Sequence, residues 1–118
     1  MIDFLYRIPK FPIICSIDDI LIMARSAAEF QRRIAKVDLA SDTHYKIVDS
    51  TGEDWDFNAS KLYVIPTLRR KWSKKKIIQT YNTSKNCQSA GPYSEKSLSS
   101  KRFEVIFSDI VDLIEQTQ

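Results

Sequence analysis

His44 is the only histidine of the chain, so a Ser-His-Asp or Cys-His relay would have to run through it, with Cys15, Cys87 or a serine as nucleophile. Nothing in the local sequence sets a second group beside it, and a lone histidine at the start of a strand is ordinarily a structural residue. A structural zinc site is not expected: two cysteines and one histidine give three N/S ligands, none at the short spacings that metal sites use. Asp54 and Asp56 stand two apart, on one side of any strand that holds them, with Asp49 and Glu53 nearby. Such a group offers oxygen ligands to a divalent cation. Alternating acids are also what the water-facing side of an amphipathic hairpin shows, and this is the preferred reading. Ser73-Lys74-Lys75-Lys76 satisfies S-x-x-K without the companion motifs of penicillin-recognising enzymes. Only Gly52 and Gly91 are present, too few for a glycine-rich phosphate loop. The expectation is therefore no enzyme, no metal and no cofactor.

The most informative stretch runs from Leu68 to Lys76, where six bases in eight positions surround Trp72. If a helix opens at Lys74, three lysines crowd its positive end, each at a cost of about 0.3–1 kcal/mol. Folding alone would not select them, which points to an anionic partner, either phosphates or an acidic protein surface. The net charge of +3 hides the asymmetry: residues 61–86 hold eight bases and no acid, against ten bases and fifteen acids elsewhere. Residues 38–56 carry six acids and one base directly before that segment. The candidate partner-binding residues are Arg69, Arg70, Lys71, Trp72, Lys74, Lys75, Lys76 and Tyr81, with Asp54 and Asp56 on the acidic side. Arg69, Arg70, Trp72 and Tyr81 are the expected anchors, since aromatic and arginine side chains dominate most interfaces.

The elements that would position these residues follow from periodicity. Ile2, Phe4, Tyr6 and Ile8 alternate with Asp3, Leu5 and Arg7, which predicts a half-buried strand over 2–8. Residues 11–15 are strand or extended lead-in. Ser16 as N-cap, with Asp18 and Asp19 in the first turn, predicts a helix from Ile17 to about Val37, in which Glu29 and Arg33 pair at i,i+4. Two runs, 45–49 and 53–57, flank Asp49-Ser50-Thr51-Gly52, a type I turn pattern, and predict a hairpin with Trp55 and Phe57 inward and Asp54 and Asp56 outward. A third arm spans 61–65. Leu68 and Trp72 share no helical stripe with Ile77, Ile78 and Tyr81, so the segment breaks at Ser73 and a short helix begins at Lys74. Residues 82–99 read as a long serine-rich loop. Phe103, Ile106, Phe107, Ile110, Leu113 and Ile114 fall on one arc, a final helix capped by Ser99 or Ser100.

These elements describe one α+β domain over residues 1–118, a small antiparallel sheet with helices packed on one face. The 118-residue length, 43% apolar content and six phenylalanines supply one core without disulfides. Cys15 is expected in the core and Cys87 in a loop, both reduced. No secretory leader and no apolar run of about 18 residues is evident, so the expected location is cytoplasmic, with no membrane contact.

The hairpin Val48-Asp49-Ser50-Thr51-Gly52-Glu53-Asp54-Trp55, with its sheet-buried tryptophan in a single α+β domain lacking a catalytic set, resembles small bacterial immunity proteins of contact-dependent and polymorphic toxin systems. The likeness covers about ten residues and the general plan. It implies a non-enzymatic protein that binds one toxin domain through a charged surface and blocks it. Antidotes to nucleases tend to be acidic, and this chain is basic. Either the acidic hairpin makes the contact or the toxin is no basic nuclease. The alternative is a small nucleic-acid-binding protein that tracks phosphates with the basic segment 61–85.

Overall fold

The computed structural model describes residues 1–39 and 43–118; Asp42, one of the acids in the 38–56 run, lies outside them. Six strands form one sheet: β1 (Asp3–Phe4), β2 (Ile13–Ile17), β3 (Ile20–Ala24), β4 (His44–Asp49), β5 (Asp54–Asn58) and β6 (Tyr63–Pro66). The spatial order is β1-β6-β5-β4-β2-β3, antiparallel throughout except where β1 runs parallel to β6. Five helices accompany it: α1 (Ala27–Ile34), α2 (Lys74–Asn82), α3 (Lys85–Ala90), α4 (Ser97–Ser100) and α5 (Phe103–Glu115). The α+β class stands, and so do the β4–β5 hairpin, the third arm, the break at Ser73 and the final helix.

The helices cover both faces of the sheet, not one. Ile13, Cys15, Ile47, Trp55 and Phe57 turn to one side and pack with Phe30 and Ile34 of α1. Ile14, Leu21, Met23 and Val48 turn to the other and meet Trp72, Ile77, Ile78 and Tyr81, together with Phe107, Ile110 and Ile114 of α5. A strand buried on both faces loses its polar alternation, and this explains the largest departure from expectation. The predicted helix over 17–37 is instead the β2–β3 hairpin followed by the eight-residue α1. The near-continuous apolar run from Ile13 to Ala24 fits a helical arc as readily as two doubly buried strands. Its turn is Asp18-Asp19, with Asp18 at φ 53°, a left-handed conformation that aspartate tolerates. Ser26, not Ser16, is the N-cap: its hydroxyl accepts the Glu29 N–H at 3.1 Å, and Glu29 accepts the Arg25 N–H at 2.9 Å. Glu29 and Arg33 do approach, at 4.0 Å.

Two further expectations change. The strand over 2–8 is cut to Asp3–Phe4, because Tyr6 takes φ 71° and turns the chain away from β6. Residues 82–99 are not one long loop, since α2 ends at Asn82, α3 lies within them and α4 begins at Ser97. At six and four residues α3 and α4 are too short to display a period. Cys87 accordingly sits in α3, half buried, while Cys15 is in the core as expected. Asn82 fastens the following segment through two bonds with the Tyr93 backbone, at 3.0 and 2.8 Å. The last helix is preceded by Arg102, without a side-chain cap from Ser99 or Ser100.

The edge formed by β3 is closed by side-chain amides. Asn86 accepts the Leu21 N–H at 2.8 Å and donates to the Leu21 carbonyl at 3.0 Å, while Gln118 donates to the same carbonyl at 2.8 Å and accepts the Met23 N–H at 3.4 Å. These groups occupy the positions that a seventh strand would take.

Candidate interaction surface at one end of the sheet

The acidic hairpin is consumed internally. Asp49 is buried at the end of β4, where its carboxylate accepts the Thr51 and Glu53 N–H groups, the Thr51 hydroxyl and the Trp55 indole N–H. Asp54 is buried at the start of β5 and accepts the Trp72 indole N–H at 2.8 Å and the Thr67 hydroxyl at 2.7 Å. Glu53 takes both guanidinium nitrogens of Arg7. Asp56 Oδ2 lies 2.6 Å from His44 Nδ1. The expected water-facing row of acids is broken at Asp54, which Trp72 and Thr67 cover, while Asp56 keeps partial exposure in its pair with His44. Asp54 is thereby removed from the partner-binding set as a buried structural group, and Asp56 is engaged by His44.

Trp72 and Tyr81 are also core residues rather than surface anchors. Trp72 packs among α2 and α5 with Lys76 Nζ 4.2 Å from its ring centroid. Tyr81 is fully buried, its hydroxyl donates to the Gly91 carbonyl at 2.6 Å, and burial raises its pKa. Lys74 donates to the Leu98 carbonyl at 3.2 Å, and Ser73 caps α2 through the Lys76 N–H at 3.1 Å. Two of the three lysines at the positive helix end are thus engaged by a carbonyl and a ring, and Lys75 faces solvent.

Arg69, Arg70 and Lys71 are exposed on the irregular segment between β6 and α2. Among the described residues, the one carboxylate near them is that of Asp54, 3.9 Å from Arg69, and it is already committed to Trp72 and Thr67. The cationic stretch is not folded back against the protein's own acids. The eight bases do not form one continuous surface either. Lys61 precedes β6 and the Arg69–Lys71 group follows it, so they sit at opposite ends of that strand. Lys85 joins Lys61's end, since its N–H donates to Asp19 in the β2–β3 turn.

The sequence reading missed the residues that share the end with Arg69–Lys71. Because β1 and β6 run parallel, residues 5–8 and 67–72 leave the sheet at the same end. Tyr6, Ile8 and Leu68 stand there 87%, 69% and 85% exposed. Tyr6 and Leu68 both hold left-handed backbone, φ 71° and 62°, where a bulky side chain is strained. The alternation of residues 2–8 fits a buried strand face and an exposed arm equally, and only the neighbouring strand decides between them.

The groups named for catalysis are not assembled. His44 and Asp56 form an exposed pair, and burial holds the Cys15 thiol far above its ordinary range, so it stays unreactive. No group of three or more His, Cys, Asp or Glu able to hold a metal exists among the described residues. A groove of about 640 Å³ between β1 and α1 is lined mainly by Met1, Ile2, Phe4, Ala27, Ala28 and Ala35, without an acid or a nucleophile. No helix of the described residues is long and apolar enough to cross a membrane. No family model matches the chain, and neither a curated protein nor a solved structure matches it.

Proposed function

We propose that this chain is a non-enzymatic protein-binding module, an immunity-type antidote that holds and neutralises a cognate toxin domain in the cytoplasm. The observation that carries the reading is the exposed Arg69-Arg70-Lys71 group, left without an accessible carboxylate of its own. Exposed cations beside exposed apolar side chains suit a partner whose surface is acidic. The acidic hairpin, being internally bonded, is not the contact, so the partner is no basic nuclease.

The nucleic-acid alternative is weakened by the division of the bases between two ends of the sheet. A duplex presents a charge about every 1.7 Å along one continuous axis, whereas Lys61 and Lys85 stand at the opposite end of the sheet from the Arg69–Lys71 group, so the bases offer two separate clusters and not one phosphate-tracking stripe.

The test is calorimetric titration of the chain against the toxin domain encoded by the adjoining reading frame, at about 150 mM salt, where long-range attraction is largely screened. Wild type binds, and the combined Arg69→Glu, Arg70→Glu, Lys71→Glu variant loses at least about 100-fold in affinity, because like charges then face the partner. An adjoining frame that encodes no toxin, or retention of duplex DNA at about 50 mM salt with no binding to the toxin domain, overturns the reading in favour of nucleic acid.

A further inference from the structure

We propose that the docking surface is composite: the apolar arm Tyr6 and Ile8 and the strained Leu68 join Arg69, Arg70 and Lys71 to grip an acidic protein surface that contains an apolar notch. This rests on the protein-binding reading and names the chemistry of its partner.

Two adjacent residues of the β4–β5 hairpin, Glu53 and Asp54, anchor one half each at this end of the sheet. Arg7, between Tyr6 and Ile8, makes a two-point bond to Glu53, and its guanidinium carbon stands 5.2 Å from the Trp55 ring centroid. On the other side, Asp54 accepts Thr67, whose hydroxyl in turn accepts the Arg69 N–H at 3.2 Å. The Trp72 N–H donates to the Gly52 carbonyl at 2.8 Å and closes the segment. Leu68 projects from a loop tied at both ends, and Tyr6 and Ile8 flank a tied arginine. Preorganised side chains lose little freedom on binding.

Folding does not account for these apolar residues. Tyr6 and Leu68 bury almost nothing, and each occupies backbone that glycine or asparagine would adopt without strain. Exposed apolar side chains at strained positions beside three exposed cations fit a ligand with both negative charge and apolar surface. A phosphate backbone offers the first and not the second.

The probes are polyglutamate, a random glutamate–tyrosine copolypeptide of matched charge, and an RNA oligonucleotide of matched charge, each titrated into the full chain while its amide resonances are followed. The copolypeptide is expected to shift the amides of residues 5–8 and 67–72 together. It should saturate at about tenfold lower concentration than polyglutamate, the gain from burying one exposed apolar side chain. The Tyr6→Ser, Leu68→Ser double variant, folded by its spectral dispersion, should abolish that advantage. Equal response to both polypeptides, with shifts confined to Arg69–Lys71, overturns the composite surface and leaves the protein-binding reading intact. RNA binding tighter than either polypeptide overturns both, as does no response to any polyanion.

Discussion

The Asp54 carboxylate accepts the indole N–H of Trp72 at 2.8 Å, with both side chains buried under α2 and α5. The neighbouring Trp55 does the same on the opposite face of the sheet, donating to Asp49 at 3.1 Å. Two acids of one hairpin thus orient the two tryptophans of the protein. Replacing Asp54 by alanine leaves the indole N–H without its acceptor and frees Thr67, at a cost of about 2–4 kcal/mol. Asp54→Asn keeps one acceptor for Trp72 and should cost only about 1 kcal/mol. Urea unfolding of the two variants checks the difference, and equal losses would show that the carboxylate charge, not the indole bond, matters.

Leu68 tests whether stability and binding are at odds at this end of the sheet. Glycine removes the strain of φ 62° but adds freedom to the unfolded chain, so Leu68→Gly should leave stability unchanged or raise it by up to about 1 kcal/mol. The same variant should weaken binding to the acidic copolypeptide. Thermal unfolding and titration of one sample read both effects.

Gly52 closes the β4–β5 turn at φ +87°, and a Cβ there would stand 3.3 Å from the Trp72 carbonyl and 3.4 Å from the Phe103 ring. Gly52→Ala should cost about 2 kcal/mol or more, combining backbone strain with the need to shift Trp72. Gly91 has a similar φ of +89° but open space around it, so Gly91→Ala carries the conformational penalty alone. Denaturation midpoints should rank Gly91→Ala above Gly52→Ala.

Asp109 predicts an acid transition. The Tyr93 hydroxyl, 2.6 Å away, holds this carboxyl below its ordinary range, and the Lys101 ammonium at 2.9 Å adds to the effect. A carboxylate whose pKa is depressed by folding stabilises the protein above its unfolded value, near 3.9 on the usual scale, and the contribution fades as pH falls through the folded value. Asp109→Asn should therefore lower stability at neutral pH and flatten the loss of stability below about pH 4. Melting temperatures of both proteins across pH 2–7 check this; parallel curves would place the acid sensitivity elsewhere.

What could be read from the chain divides along physical lines. Alternation with a turn signature identified β4, β5 and Gly52, and the Ser73 cap located the start of α2, because each depends on residues close in sequence. Residues 17–24 read as helix because burial on both faces of β2 and β3 erases the polar positions that distinguish the two periods. Asp54 reads as a surface acid because nothing near it in sequence signals that Trp72 lies above it. Charge density alone marks Arg69, Arg70 and Lys71, while the alternation of residues 2–8 places Tyr6 and Ile8 on an inward face. Their exposure follows from the parallel β1–β6 pairing and the turn at Tyr6, which no local pattern encodes.

The amide-sealed rim at β3 limits how copies of the protein can add to one another. With Leu21 and Met23 already satisfied by Asn86 and Gln118, the edge left open to strand addition among the described residues is the opposite rim, where β1 is two residues long. Edge-to-edge addition of folded copies is therefore opposed at the β3 rim.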